Sequence, residues 1–246
     1  MSRNFLKLYE KETENPCSWC IILRMFRWVC LLAISAAPAV AASACPAAPT
    51  GLDYYVGLGA TGCTIGSFTV KSFSFFPAVG SVPEGSITVT PSSGPNFVAL
   101  TFSSPLFSVS GAGSQSDFIS YDWDPGDIRS LEDILNDPVV APGTATVTTM
   151  ACENNPAFID GCHSPFVTVV VSDNGITLNS PNSISFPPGT QTLGILNNIT
   201  LNANGASSNI SGFENELLLS PEPATALPCL LLAAALVFRR LRLKRF

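Results

Sequence analysis

A two-residue alternation of apolar side chains over short runs constrains this chain more than any other feature of its sequence. Val98, Leu100 and Phe102 share one parity, as do Val167, Val169 and Val171. Leu193, Ile195 and Leu196 precede Ile199, Leu201 and Ala203 in the same manner. Successive side chains on a strand point to opposite faces, so such runs bury one face and expose the other. In Phe68 to Phe76 the phase changes: Phe68 and Val70 have one parity, Phe73 and Phe75 the other. A bulge near Lys71-Ser72 reconciles them. Asp173-Asn174-Gly175 between two strand runs is a hairpin turn signal. About ten short strands separated by Gly, Pro, Ser, Thr and Asn indicate an all-β antiparallel sandwich or jelly-roll-like domain. One segment departs from the pattern. Ile128, Leu131, Ile134 and Leu135 have helical spacing and predict a short helix or an irregular edge strand.

The two ends have a different character. Val29 to Ala42 is apolar, follows Arg24 and Arg27, and closes on Ala42-Ser43-Ala44. That order of charge, apolar run and small residues is that of a secretory signal peptide, which predicts a helical leader over 1–44. The preceding residues include Glu10, Glu12 and Glu14, and Met25 is the expected translation start. Cys45 directly follows Ala44, as in a lipoprotein, but Ala42 stands where such signals carry Leu. At the far end, Ser220-Pro221-Glu222-Pro223 precedes a charge-free run from Ala224 to Phe238 and then Arg239, Arg240, Arg242, Lys244 and Arg245. Prolines on both sides of Glu222 remove backbone donors and favour an extended, solvated segment that a protease can grip as a strand. The apolar run would make roughly 22 Å of helix at about 1.5 Å per residue. That is short for a membrane span, a deficit that snorkelling by Arg239 and its neighbours reduces. The basic cluster predicts a cytoplasmic C-terminus.

Triplet, apolar helix and terminal basic cluster, in that order, resemble the PEP-CTERM sorting signal of Gram-negative bacteria. The resemblance implies that a membrane exosortase recognises Pro221-Glu222-Pro223, with Arg239 and Arg240 in the basic part of the signal, and removes the helix. It also implies export through the Sec translocon, transient anchoring in the inner membrane, and a mature form at the cell surface or in the exopolysaccharide matrix. More diffuse similarity to such proteins runs through the body, in Gly62-Cys63-Thr64-Ile65-Gly66, Phe118-Ile119-Ser120-Tyr121 and Asn209-Ile210-Ser211-Gly212-Phe213. The implied organisation is a leader over 1–44, a β-sandwich over 45–217 and a sorting signal with a short transmembrane helix over 218–246.

The full chain of 246 residues carries a formal net charge of −6. Its basic residues are mostly terminal: between residues 45 and 220, fourteen acids face only Lys71 and Arg129. So acidic a body argues against nucleic acid as a partner, because phosphate contacts need a basic surface. Four of the eight cysteines, Cys45, Cys63, Cys152 and Cys162, lie in this region. Four cysteines permit three pairings, and sequence proximity favours Cys45–Cys63 and Cys152–Cys162. A zinc site is disfavoured by the lack of a close cysteine pair there. Cys17-Ser-Trp-Cys20 has redox-motif spacing but precedes the leader and has no βαβ context.

Signals of chemistry are sparse. His163, the single histidine, stands beside Cys162 and reads as a solvated loop residue, since no nucleophile elbow accompanies it. Asp122, Asp124 and Asp127 in Tyr121-Asp-Trp-Asp-Pro-Gly-Asp are the densest acids and the candidate calcium ligands, although an acid-rich solvated turn is the preferred reading. Tyr54, Tyr55 and Trp123 are candidate sugar-stacking rings or core aromatics. Asn198-Ile-Thr and Asn209-Ile-Ser fit the glycosylation pattern. The expectation is an exported structural protein without catalytic activity or resident cofactor. A carbohydrate-binding module, or a polysaccharide hydrolase with paired acids, is the alternative.

Overall fold

The computed structural model describes residues 42–219 except 79, 125, 155–161 and 163–165. The predicted leader helix up to residue 41, the Pro221-Glu222-Pro223 signal, the apolar run, Arg239, Arg240 and His163 lie outside the described residues, and the last leader residues, Ser43–Ala44, form a strand. Among the described residues no helix is long and apolar enough to cross a membrane.

In chain order the elements are β1 (Ser43–Ala44), β2 (Thr50–Gly51), α1 (Leu52–Leu58), β3 (Cys63–Ile65), β4 (Phe68–Pro77), β5 (Thr88–Ser93), β6 (Phe97–Ser103), β7 (Ser108–Gly111), β8 (Ser114–Asp124), β9 (Ile128–Asn136), β10 (Val139–Ala141), β11 (Thr144–Glu153), β12 (Phe166–Asp173), β13 (Leu178–Asn179), β14 (Asn182–Ser185), β15 (Leu193–Asn202), β16 (Ala206–Asn209) and β17 (Gly212–Leu219). They form an eight-stranded sheet ordered β1-β3-β4-β8-β15-β11-β12-β13 and a six-stranded sheet ordered β14-β9-β17-β6-β5-β2. A small third sheet is ordered β10-β16-β7. Only β1 and β3 pair in parallel among these strands; the other ladders are antiparallel.

The two large sheets face one another. From the first come Tyr121, Trp123, Val147 and Ile195; from the second, Leu100, Phe102, Leu131 and Phe213; all are buried in one core. An aromatic contact crosses the interface, with Phe102 and Tyr121 centroids 5.7 Å apart, and Phe73 on the neighbouring strand of the same sheet stacks on Tyr121 at 5.1 Å. The antiparallel all-β sandwich expected from the alternation is therefore the architecture observed.

The bulge in β4 is present. Its pairing with β8 slips between Lys71 and Ser74, and Ser72 adopts φ 57°. The extra residue returns Phe73 to the core side, beneath Phe68 and Val70. The Asp173-Asn174-Gly175 turn also forms: Gly175 has φ 78° and donates its N–H to Asp173 Oδ1 at 2.7 Å. Glycine reaches that φ without the Cβ clash other residues meet.

The helix-spaced segment is corrected by the structure. Ile128–Asn136 is a strand, and an internal one, paired with β14 on one side and β17 on the other. A register shift at Leu218/Leu219 changes the phase, so Ile128 and Leu131, three apart, are both buried. A bulge thus imitated a helical period. Among the described residues an α-helix does form at α1, unforeseen in the sequence. Leu52 and Tyr55 bury one side of it, Leu52 N–H donates to Ile87 O, and Gly59 ends it at φ 55°.

Candidate functional site

Both cysteine pairs favoured by proximity are joined, Cys45–Cys63 with Cα atoms 4.9 Å apart and Cys152–Cys162 with 5.8 Å. The first ties the chain following β1 to β3, where Cys45 N–H also donates to Thr64 O at 2.9 Å. The second ties the end of β11 to Cys162.

The three candidate calcium ligands do not converge. Asp124 Oδ2 forms an ion pair with Lys71 Nζ at 2.6 Å. Asp122 lies on the same outward face of β8, in register with Lys71, and is only 2% exposed. Asp127 stands exposed between β8 and β9. Among the described residues no three His, Cys, Asp or Glu side chains gather to hold a metal ion. The candidate sugar-stacking rings separate similarly, two of them as core aromatics. Trp123 is 0% exposed and packs edge-on against Tyr121 at 6.0 Å, while Tyr55 is buried against Phe73. Burial, with Tyr54 beside it, pushes the Tyr55 phenol up to about 12. Only Tyr54 of the three presents an exposed ring.

The densest polar chemistry lies inside the sandwich, where the sequence reading placed none. Tyr121 on β8 donates its hydroxyl to Asn215 Oδ1 on β17 across 2.6 Å, from one sheet to the other. Asn215 Nδ2 donates to Asp133 Oδ1 on β9 at 2.7 Å and lies 3.4 Å from Thr149 Oγ1 on β11. Thr149 in turn donates to Asn197 Oδ1 on β15 at 2.7 Å. Burial holds the Asp133 carboxyl far above the usual carboxylate range, at about 7, against the lowering influence of Thr149 and Asn215. Burial and the neighbouring Asp133 raise the Tyr121 phenol. Asp117, also interior, is raised by burial although Gln115 Nε2 donates to its Oδ2 at 2.8 Å.

Each of the five central residues occupies an inward position between apolar residues two places away. The brackets are Leu131 and Leu135 for Asp133, Val147 and Ala151 for Thr149, and Ile195 and Ile199 for Asn197. Phe213 and Leu217 bracket Asn215, and Ile119 and Trp123 bracket Tyr121. A polar residue in the apolar phase was the signal available to find them.

On the outer face of the six-stranded sheet, Glu216 lies opposite Glu132 in register, with Glu214 two places along the same strand. Thr101 donates to Glu214 Oε2 at 2.8 Å. Partial burial first, then Glu214 and Glu132, raises the Glu216 carboxyl. A shallow depression of about 200 Å³ elsewhere is lined by Cys45, Thr64, Ile65, Pro91 and neighbouring small residues, with no ionisable group among them.

No family model and no curated protein matches the chain. Among solved structures it is similar to TmCBM61 in complex with beta-1,4-galactotriose, at 12% identity and a TM-score of 0.32, covering 68% of this chain and 93% of that one. It is also similar to the enzymatically active domain of bacteriophage CBA120 tailspike protein 4, at 14% identity and a TM-score of 0.26. That match covers 63% of this chain and 20% of the tailspike chain. Neither likeness is close enough to carry an argument about a site or a ligand.

Proposed function

We propose that this chain is an exported, non-catalytic β-sandwich, a structural component of the cell surface or exopolysaccharide matrix. The observation that carries the reading is the pair of disulfides, Cys45–Cys63 and Cys152–Cys162. Such bonds persist in oxidising compartments and are reduced in the cytosol. The acidity of the body and the leader-like residues before Cys45 support the same location. The interior carboxyls Asp117 and Asp133, both raised by burial, are 0% exposed, out of a substrate's reach. In this reading Sec exports the precursor, and an exosortase acts at Pro221-Glu222-Pro223 while the apolar run and Arg239-Arg240 hold it in the inner membrane. The test is the intact mass of the protein from cells with and without the exosortase. A shorter C-terminus only in exosortase-positive cells supports the assignment; residues retained to Phe246 in both refute it.

One surface favours a second reading, carbohydrate binding. On the outer face of the eight-stranded sheet, Phe76, Phe118, Asn198 and Thr148 stand in one row across four strands. Phe76 is exposed, and Asn198 Oδ1 accepts from Ser116 and Thr200. Rings beside amide and hydroxyl groups suit a saccharide's apolar faces and hydroxyls. Matrix polysaccharide binding lost in Phe76→Ala, with the fold intact, would establish it; unchanged binding would remove this row from consideration.

A further inference from the structure

Asp133, Thr149, Asn197, Tyr121 and Asn215 come from five strands and both large sheets. Three of the links between them are the hydrogen bonds given above, Thr149 to Asn197, Tyr121 to Asn215 and Asn215 to Asp133. Two polar atoms within this group lack a partner, Asp133 Oδ2 and Asn197 Nδ2. A fourth link runs from Asn215 Nδ2 to Thr149 Oγ1 at 3.4 Å, and Trp123 Nε1, on the strand that carries Tyr121, also lacks a partner.

The hydrogen-bond inventory bears on the protonation state of the group. Asp133 Oδ1 receives a hydrogen from Asn215 Nδ2, whereas the buried Oδ2 receives none. An ionised Asp133 would leave that oxygen charged and unpaired among apolar neighbours, a state that burial penalises. A protonated Asp133 carries its hydrogen there and keeps the network neutral.

We propose that Asp133 is held in the folded protein as a neutral carboxylic acid within a buried side-chain network that latches the two sheets together. Among the described residues no base compensates the carboxylate. Arg129, the one cation on β9, is exposed, and Lys71 is committed to Asp124 on the outer face of the other sheet. The ionisable groups sharing the interior side are Tyr121 and Asp117 on β8, with Glu153 at the end of β11 and Asp173 at the end of β12. Glu132, Glu214 and Glu216 lie on the opposite face of the six-stranded sheet. All of these charged neighbours are acids, which discourage a second negative charge. The latch therefore tightens in acid and loosens as the medium becomes alkaline, a response suited to a protein exposed to the pH outside the cell.

The experiment compares the intact protein with Asp133→Asn by denaturant unfolding between about pH 5 and about pH 8.5. Asparagine is neutral at every pH and, like the protonated acid, has a hydrogen to give, so it keeps the network uncharged throughout. The unfolding midpoint of the wild type should fall across this range while that of Asp133→Asn stays more nearly level, the variant being the more stable at the alkaline end. Parallel pH profiles, or a variant less stable than the wild type at the alkaline end, would overturn the proposal. A second readout does not depend on any variant folding: the carboxyl carbon resonance of Asp133 in the wild type should titrate near neutrality. Titration in the ordinary aspartate range would overturn it as well.

Discussion

Tyr121 Oη and Asn215 Oδ1, 2.6 Å apart, join the eight-stranded sheet to the six-stranded sheet through a side-chain hydrogen bond at the centre of the core. Around it the same phenol stacks on Phe73 and packs against Phe102 and Trp123, so one residue organises both the aromatic and the polar interior.

Tyr121→Phe keeps the ring and removes the hydroxyl, leaving Asn215 Oδ1 without its partner. The expected loss is about 1–3 kcal/mol, the usual range for stranding buried polar groups. Chemical denaturation measures it; a neutral or stabilising substitution would show that the bond contributes nothing.

Acidification should stabilise the wild type, and the sign follows from the direction of the shift. Asp133 has a folded value near 7, above its unfolded one. The native state therefore binds more protons between about pH 4 and about pH 7, and stability from this group is lost as pH rises through that window. Asp117 and Glu216, also raised, act in the same direction. Unfolding midpoints at closely spaced pH values check this, and a rise of stability with pH over the window contradicts it.

Trp123→Ala removes a fully buried indole from the core. A loss of about 3–5 kcal/mol is expected, as for other large-to-small aromatic truncations. Thermal unfolding tests this. Any loss of glycan binding in that variant would reflect unfolding, so Phe76→Ala is the appropriate surface probe.

Glu216→Gln should stabilise slightly, because Glu216 faces Glu132 directly across the strands with Glu214 beside it. Relief of a like-charge cross-strand pair is worth about 0.2–1 kcal/mol and should shrink in high salt. Equal stability of variant and wild type at low ionic strength would contradict it.

Calcium should leave the melting temperature unchanged, since Lys71 already neutralises Asp124 and Asp127 stands apart in an exposed turn. A ligand of the native state alone would raise it by mass action. A calcium-dependent rise would restore the Asp122-Asp124-Asp127 reading.

The strands, the β4 bulge, the Asp173 hairpin and both disulfides were legible because each rests on local spacing or on a turn residue. β9 was not, because the bulge that buries both Ile128 and Leu131 depends on pairing with β17, some ninety residues away in sequence. The α1 helix is short, and its stop depends on Gly59 entering a positive φ. The polar interior was half legible: Asp133, Thr149, Asn197 and Asn215 each stand in the inward phase, yet only the assembled sheets show that they meet. In the acid-rich segment, alternation alone sends Trp123 inward and Asp122 and Asp124 outward, which already separates the indole from the carboxylates.

The most direct test of the account is the thiol state of the protein in fractionated cells, read by alkylation before and after reduction. The account predicts that Cys45, Cys63, Cys152 and Cys162 resist alkylation until reduced, in material recovered from beyond the inner membrane. Free thiols at these four positions in protein confined to the cytosol would contradict it.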